Sequence, residues 1–147
     1  HDALPIWVVC CSPEYLERHG PLQRIEDILC HPCIGYSHNT PSQLWSFEPR
    51  VAGEPARMIT PRGRFNTNNG QTMRDAAVRG LGLAMLPLFI AAEDLAAGRL
   101  VEALPQERPL DDLIYAMYSR AATLSPKVKL FVQFLQQALG SPPWGVR

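Results

Sequence analysis

A chain of 147 residues, 46% hydrophobic and 19% charged, is long enough to bury a real core and is expected to form one domain or one domain plus a fragment. Lysine plus arginine and aspartate plus glutamate both number 14, so the net charge is zero and the chain carries no basic footprint for gripping duplex DNA. No apolar run approaches the roughly 20 residues that span a bilayer and no signal-peptide pattern opens the chain, so a cytoplasmic globular protein with no membrane partner is expected.

Ile6 to Cys10 is a short β-rich run. Ser12 followed by Pro13 reads as an N-cap with proline at the first helical position, starting a helix through about Arg18 that His19-Gly20-Pro21 ends. Ile25 to Leu29 fits a brief helix, Cys33 to Tyr36 a strand, and Ser37 to Ser42 a polar loop. Trp45 and Phe47 alternate with polar neighbours and suggest an edge strand, after which Ala56 to Ile59 and Arg62 to Phe65 form a further extended pair.

The segment from Asn68 to Pro87 is the most informative. Asn68 or Asn69 caps a helix, Ala76, Ala77 and Val78 give it a small apolar surface, and Gly80 supplies the left-handed residue that stops it. Leu81 to Leu86 is too apolar and too short for a surface helix and reads as a strand covered on both faces. Pro87 to Ala97 is a further helix stopped by Gly98, and Leu100-Val101 is a small strand. A proline-containing connector leads to a strong strand from Leu113 to Tyr118. Ser125-Pro126 then caps a closing helix carrying Val128, Phe131, Val132 and Leu135, and order ends near Ser141. Strands alternating with helices argue the α/β class with a mostly parallel sheet.

Ligands of open α/β sheets gather outside the carboxyl ends of the strands. Tyr36 and Ser37 stand at one such end. The step Thr67, Asn68, Asn69, Gly70, Gln71, Thr72 is the entry to the capped helix, where free N–H groups and the helix dipole favour an anionic or carbonyl oxygen. Pro87 and Phe89 border the same cleft through the next strand end. Of Arg62, Arg64, Arg74 and Arg79, Arg64 is the best candidate to pair with an acidic ligand, because it leads toward the helix entry. Trp45 and Phe65 are read as core or edge packing.

Cys30-His31-Pro32-Cys33 has the spacing of a redox motif, but a helix precedes it and a strand follows, so the helix dipole points the wrong way to lower a thiol pKa. Buried structural thiols are expected at Cys10, Cys11, Cys30 and Cys33, with an oxidation-sensitive pair or a metal site as the minor alternatives. No nucleophile elbow, paired-carboxylate spacing or phosphate loop surrounds Ser37, His31, His38, Asp111 or Asp112, so no catalytic residue, cofactor or metal is assigned.

Several motifs stand in an order that resembles one family: Ser12-Pro13-Glu14-Tyr15-Leu16, His19-Gly20, Leu29 to Ile34, and Trp45-Ser46-Phe47. They continue with Ala76 to Gly82 followed by Leu86-Pro87, Gly98-Arg99-Leu100-Val101, and Leu124 to Val128 with Phe131 and Phe134. Together they cover nearly the whole chain and resemble the effector-binding domain of LysR-type transcriptional regulators. The resemblance implies a periplasmic-binding-protein-like α/β fold of two subdomains with a ligand cleft between them. Residues 6–108 would be subdomain two, 109–140 a crossover strand and closing helix returning to an incomplete subdomain one, and 141–147 a tail. It implies a small-molecule effector, organic anions among the candidates, and a homo-oligomer. DNA would be met only through a winged helix-turn-helix absent from this chain. A transporter's solute-binding protein is the alternative, and a thiol redox enzyme or sensor using Cys30 and Cys33 the remoter one.

Overall fold

The computed structural model describes residues 7–37, 44–110, 117, 119 and 125–139. The chain divides into two compact units, Ile6–Leu110 and, separately, His1–Pro5 with Asp111–Arg147.

The larger unit is built on a five-stranded sheet. Its strands are β1 (Trp7–Cys11), β2 (Cys33–Tyr36), β5 (Gly63–Thr67), β6 (Leu83–Pro87) and β7 (Val101–Glu102), in the spatial order β5-β2-β6-β1-β7. β2 runs parallel to both β5 and β6, whereas β1 runs antiparallel to β6 and β7. The sheet is therefore mixed, which corrects the expectation of a mostly parallel one. Burial pattern and β propensity carry no direction, so the apolar run at β1 reads identically whichever way it crosses the sheet. The central strand β6 buries Leu83, Ala84 and Leu86 almost completely, as its unbroken apolar run requires.

β3 (Trp45–Phe47) and β4 (Arg57–Ile59) form a separate antiparallel pair, with Trp45 opposite Ile59 and Phe47 opposite Arg57. The expected pairing of 56–59 with 62–65 does not occur. Pro61, between them, has a fixed φ and no N–H, and the chain passes from one sheet to the other there instead of folding back. Trp45 and Phe47 are buried and join Tyr15, Ile25, Ile28, Leu83 and Leu104 in one apolar core, while Phe65, on the exposed edge strand β5, stays 37% exposed. Glu48 N–H donates to the Arg108 carbonyl and Leu110 N–H to that of Ser46, binding β3 to the connector. Glu107, 8% exposed at its side chain, pairs with Arg57 and Arg50, and the Arg57 guanidinium also donates to the Glu48 carbonyl.

Local sequence explains the helices. In α1 (Pro13–His19) Ser12 Oγ accepts the Tyr15 N–H at 3.2 Å, with proline at the first turn, and Gly20 ends the helix at φ 81°. Ile25–Cys30 is a 3-10 turn: Ile25 and Ile28 face the core, and the Asp27 carboxylate accepts N–H bonds from Gln23 and Arg24 at 2.8 and 3.1 Å. α2 (Gly70–Val78) is capped by Asn69 and buries Met73, Ala76 and Ala77. α3 (Leu88–Ala96) buries Asp94, a carboxylate no sequence pattern singled out. It sits between Arg99 and Arg74, the latter at 3.4 Å, while its backbone carbonyl accepts the N–H groups of Arg99 and Leu100. A buried charge needs such pairing.

In the smaller unit the described helix is α4 (Pro126–Leu139). Val128, Val132 and Leu135 are half-buried at helical spacing, and Leu130, Phe131 and Phe134 are at least 60% exposed. The strand expected from Leu113 to Tyr118 lies outside the described residues except for Met117, as does the tail. No helix among the described residues is long and apolar enough to cross a membrane.

Candidate functional site

Parallel strands end together, and that brings the sequence-selected residues to one rim. Register places Tyr36 opposite Thr67 and Ile34 opposite Ala84, so Tyr36 at the end of β2 stands level with Leu86, one residue before Pro87 at the end of β6. The Ser37 N–H donates to the Thr67 carbonyl at 2.9 Å, extending the β2–β5 ladder one residue past the strand. Thr67, Tyr36, Ser37 and Pro87 are therefore neighbours along the carboxyl ends of β5, β2 and β6.

From Thr67 the chain turns directly into α2. Thr67 Oγ1 accepts the Asn69 N–H at 3.2 Å, and Asn69 Oδ1 accepts the Thr72 N–H at 3.0 Å. The first turn of a helix has no internal partners for its N–H groups. Asn69 satisfies the one on Thr72, and those of Gly70 and Gln71 have no partner among the described residues. Asn68, Asn69, Gln71 and Thr72 are exposed and Thr67 is half-buried. The capping role read for Asn68 or Asn69 thus falls to Asn69.

Gly70 lies so close to α3 that a Cβ there would come within 2.6 Å of Ile90 Cδ1. This close approach sets the helix entry beside the start of α3, where Phe89 is 54% exposed. Sequence reasoning missed Trp7, which register places opposite Pro87 at the same end of the sheet. The antiparallel course of β1 puts it there, and a parallel reading of the sheet sends it to the far end. The nine selected residues, Tyr36, Ser37, Thr67, Asn68, Asn69, Gln71, Thr72, Pro87 and Phe89, include no charged side chain. What the rim offers a ligand is neutral hydrogen-bond donors and acceptors, the positive end of the α2 dipole, and an apolar flank.

Arg64 is not part of this rim. Three residues before Thr67 on an extended strand puts it about 10 Å back along β5. It lines a cleft of about 440 Å³ with Cys33, Ile34, Phe65, Gly80 and Leu81, at the opposite end of α2. Arg74 is engaged with Asp75 at 2.7 Å and with Asp94.

The thiols divide. Cys10, Cys11 and Cys33 are buried, but Cys30 is exposed, which corrects its expected burial; as the last residue of a 3-10 turn whose Ile25 and Ile28 face inward, it faces solvent. Burial pushes Cys11 and Cys33 up to about 12 and raises Cys10 as well, with Cys11 and Asp94 adding to the effect. Such thiols are poor nucleophiles at neutral pH. Among the described residues no group of three or more His, Cys, Asp or Glu side chains is placed to hold a metal ion.

An open α/β sheet with a capped helix entering at its strand ends defines a class of ligand-binding domain. Within that class the chain belongs to the LysR substrate binding domain family, whose model matches residues 7–140. Among its relatives is the HTH-type transcriptional regulator PtxR of Pseudomonas aeruginosa, 30% identical over 137 residues, which are 93% of this chain and 43% of that protein. Similar solved structures include the regulatory domain of AphB from Vibrio vulnificus, with 27% identity, a TM-score of 0.70, and coverage of 90% of this chain and 63% of that one. The regulatory domain of CrgA, a LysR-type transcriptional regulator from Neisseria meningitidis, matches at 27% identity and a TM-score of 0.63 over 92% of this chain and 65% of that one. The chain thus spans less than half the length of a curated relative such as PtxR. PtxR and CrgA are transcriptional regulators.

Proposed function

We propose that this chain is the effector-sensing part of a DNA-binding transcriptional regulator, and that it takes a small organic anion at the strand-end rim. The observation that carries this is the entry of α2: the N–H groups of Gly70 and Gln71 have no partner among the described residues, beside the ends of three parallel strands. The carboxylate of an effector accepts from that helix entry, with Asn69, Thr72 and Ser37 fixing its orientation and Trp7, Pro87 and Phe89 meeting its apolar body. Residues 6–108 act as one complete wall of the cleft.

DNA contact in this scheme belongs to a helix-turn-helix part of the longer regulator, consistent with the zero net charge here. The regulator works as a homo-oligomer, and the effector shifts it by binding one arrangement of subunits better than another. The test is a calorimetric screen of small carboxylates against the full-length protein. Asn69→Ala and Thr72→Ala each weaken the effector found, and effector addition changes operator affinity only in the unsubstituted protein. An effector whose affinity is unchanged by both substitutions contradicts the assignment.

A further inference from the structure

Away from the strand-end rim, one titratable cluster has opposed hydrogen-bond demands built into it. Tyr15 is 2% exposed, and its hydroxyl lies 2.8 Å from His31 Nδ1. Burial, with Cys33 and Cys11 nearby, pushes this phenol up to about 12, so it keeps its proton, and among the described residues that proton has no acceptor other than His31 Nδ1. His31 Nδ1 must then accept, which requires a neutral ring protonated at Nε2. His19 meets the reverse demand. Its Nδ1 lies 2.9 Å from the Tyr15 carbonyl, which only accepts, so that nitrogen carries a proton whether the ring is neutral or charged.

The rings are close. Tyr15 stacks on His19 with centroids 4.1 Å apart, and His19 lies 5.8 Å from His31. The titratable and charged groups acting here are Tyr15 and His19 of α1, Asp27 of the 3-10 turn, and the buried thiols Cys11 of β1 and Cys33 of β2. Burial and then the neighbouring His19 hold His31 below the usual imidazole range, with Asp27 opposing them. Protonating His31 turns Nδ1 from acceptor to donor. The Tyr15 hydroxyl proton then has no other acceptor among the described residues, and the cost of an unpaired buried donor falls on the contact between α1 and the chain entering β2.

That entry is not free to absorb a shift. The Leu83 N–H donates to the Pro32 carbonyl at 2.9 Å, and a Cβ on Gly82 would lie 2.2 Å from the same oxygen, so His31-Pro32 is registered backbone to backbone against β6. We propose that His31, Tyr15 and His19 form an acid-responsive latch, closed when His31 is neutral and released when it is protonated, whose release moves β2 and with it Tyr36 and Ser37. The proton site stands on its own geometry, and only its consequence for effector affinity rests on the strand-end assignment. Since the folded His31 lies below its ordinary value of 6.5, the latch contributes full stability above that pH and loses it as pH falls through the folded value.

The test is imidazole and amide NMR of this chain from about pH 8 to about pH 5, with His38→Gln in every sample because His38 follows Ser37 directly. His31 should show the Nε2–H tautomer at the upper end, and the Ile34, Tyr36 and Ser37 amides should titrate with its midpoint. Tyr15→Phe keeps the ring stack and removes the hydroxyl, and should raise the His31 midpoint by about half a unit to one unit and uncouple the amides. Should that variant fail to fold, His31→Gln carries the same test: the acid-dependent amide shifts disappear in it. An Nδ1–H tautomer at His31, or a midpoint unmoved in Tyr15→Phe, overturns the latch. So do Tyr36 and Ser37 amides that ignore His31, or that still titrate in His31→Gln. None of these readouts needs an effector, so they are independent of where the effector binds.

Discussion

The two ends of β2 are built to opposite specifications. At its amino end Pro32 packs against Gly82 with no room for a side chain, Cys33 is completely buried, and the N–H of Leu83 closes on the Pro32 carbonyl. At its carboxyl end, four residues on, Ser37 is exposed beside the polar entry of α2, whose first two N–H groups are unpaired among the described residues. The strand is anchored at one end and open at the other. A ligand site needs both: groups left unsatisfied toward solvent, and a rigid mount that keeps them aligned. Substitutions at the closed regions should therefore cost stability, and those at the open end should cost binding.

The largest effect belongs to Gly82→Ala. Its φ of 155° lies in the range that favours glycine, and its Cβ would meet the Pro32 backbone, so no side-chain adjustment relieves the clash. A loss of about 4 kcal/mol or more in denaturant unfolding is expected. A near-neutral Gly82→Ala erases the contrast between the two ends.

Next comes the closed clamp on the β3–β4 pair. Hydrogen bonds from Arg57 and Arg50 lower the Glu107 pKa, so its carboxylate contributes stability that is full above its ordinary value of 4.5 and lost as pH falls through the lower folded value. Glu107→Gln should cost about 1 to 3 kcal/mol at neutral pH and flatten the acid limb of the stability curve. An acid limb identical to that of the unsubstituted protein assigns the acid sensitivity to other carboxylates.

At the open end Asn69→Ala removes the cap on Thr72 and should cost about 0.5 to 2 kcal/mol of stability. Effector affinity should also fall, by more than this stability loss explains; a change in stability alone would make Asn69 a structural cap with no part in binding. The smallest effect is chemical: in the native protein Cys30 should react readily with a thiol reagent, while Cys10, Cys11 and Cys33 react only on unfolding. Rapid labelling of Cys33 in the folded protein would mean that the amino end of β2 opens easily.

Much of this was legible in the sequence because it is locally encoded. Ser12-Pro13, Asn69 and Gly80 announce helix ends through their own side chains or their lack of one, and the apolar run at β6 declares a buried strand. What was not legible depends on partners distant in sequence. The direction of β1, the separate sheets of β4 and β5, and the place of Arg64 at the far end of α2 all follow from pairing choices that an alternating pattern leaves open. Trp7 was missed for that reason, and Asp94 because a single acidic residue in a helix looks solvated until Arg74 and Arg99 converge on it. Among the selected residues, Thr67 through Thr72 form a continuous local step, and Tyr36, Ser37 and Pro87 were picked out because each stands at the carboxyl end of a strand.

Whether the open end of the parallel strands receives the effector is decided by a structure of the full-length regulator with its effector bound. An effector oxygen should lie within hydrogen-bond reach of the backbone N–H groups of Gly70 or Gln71, or of the side chains of Asn69 or Thr72. An effector seated wholly elsewhere, with that helix entry still facing solvent, would contradict it.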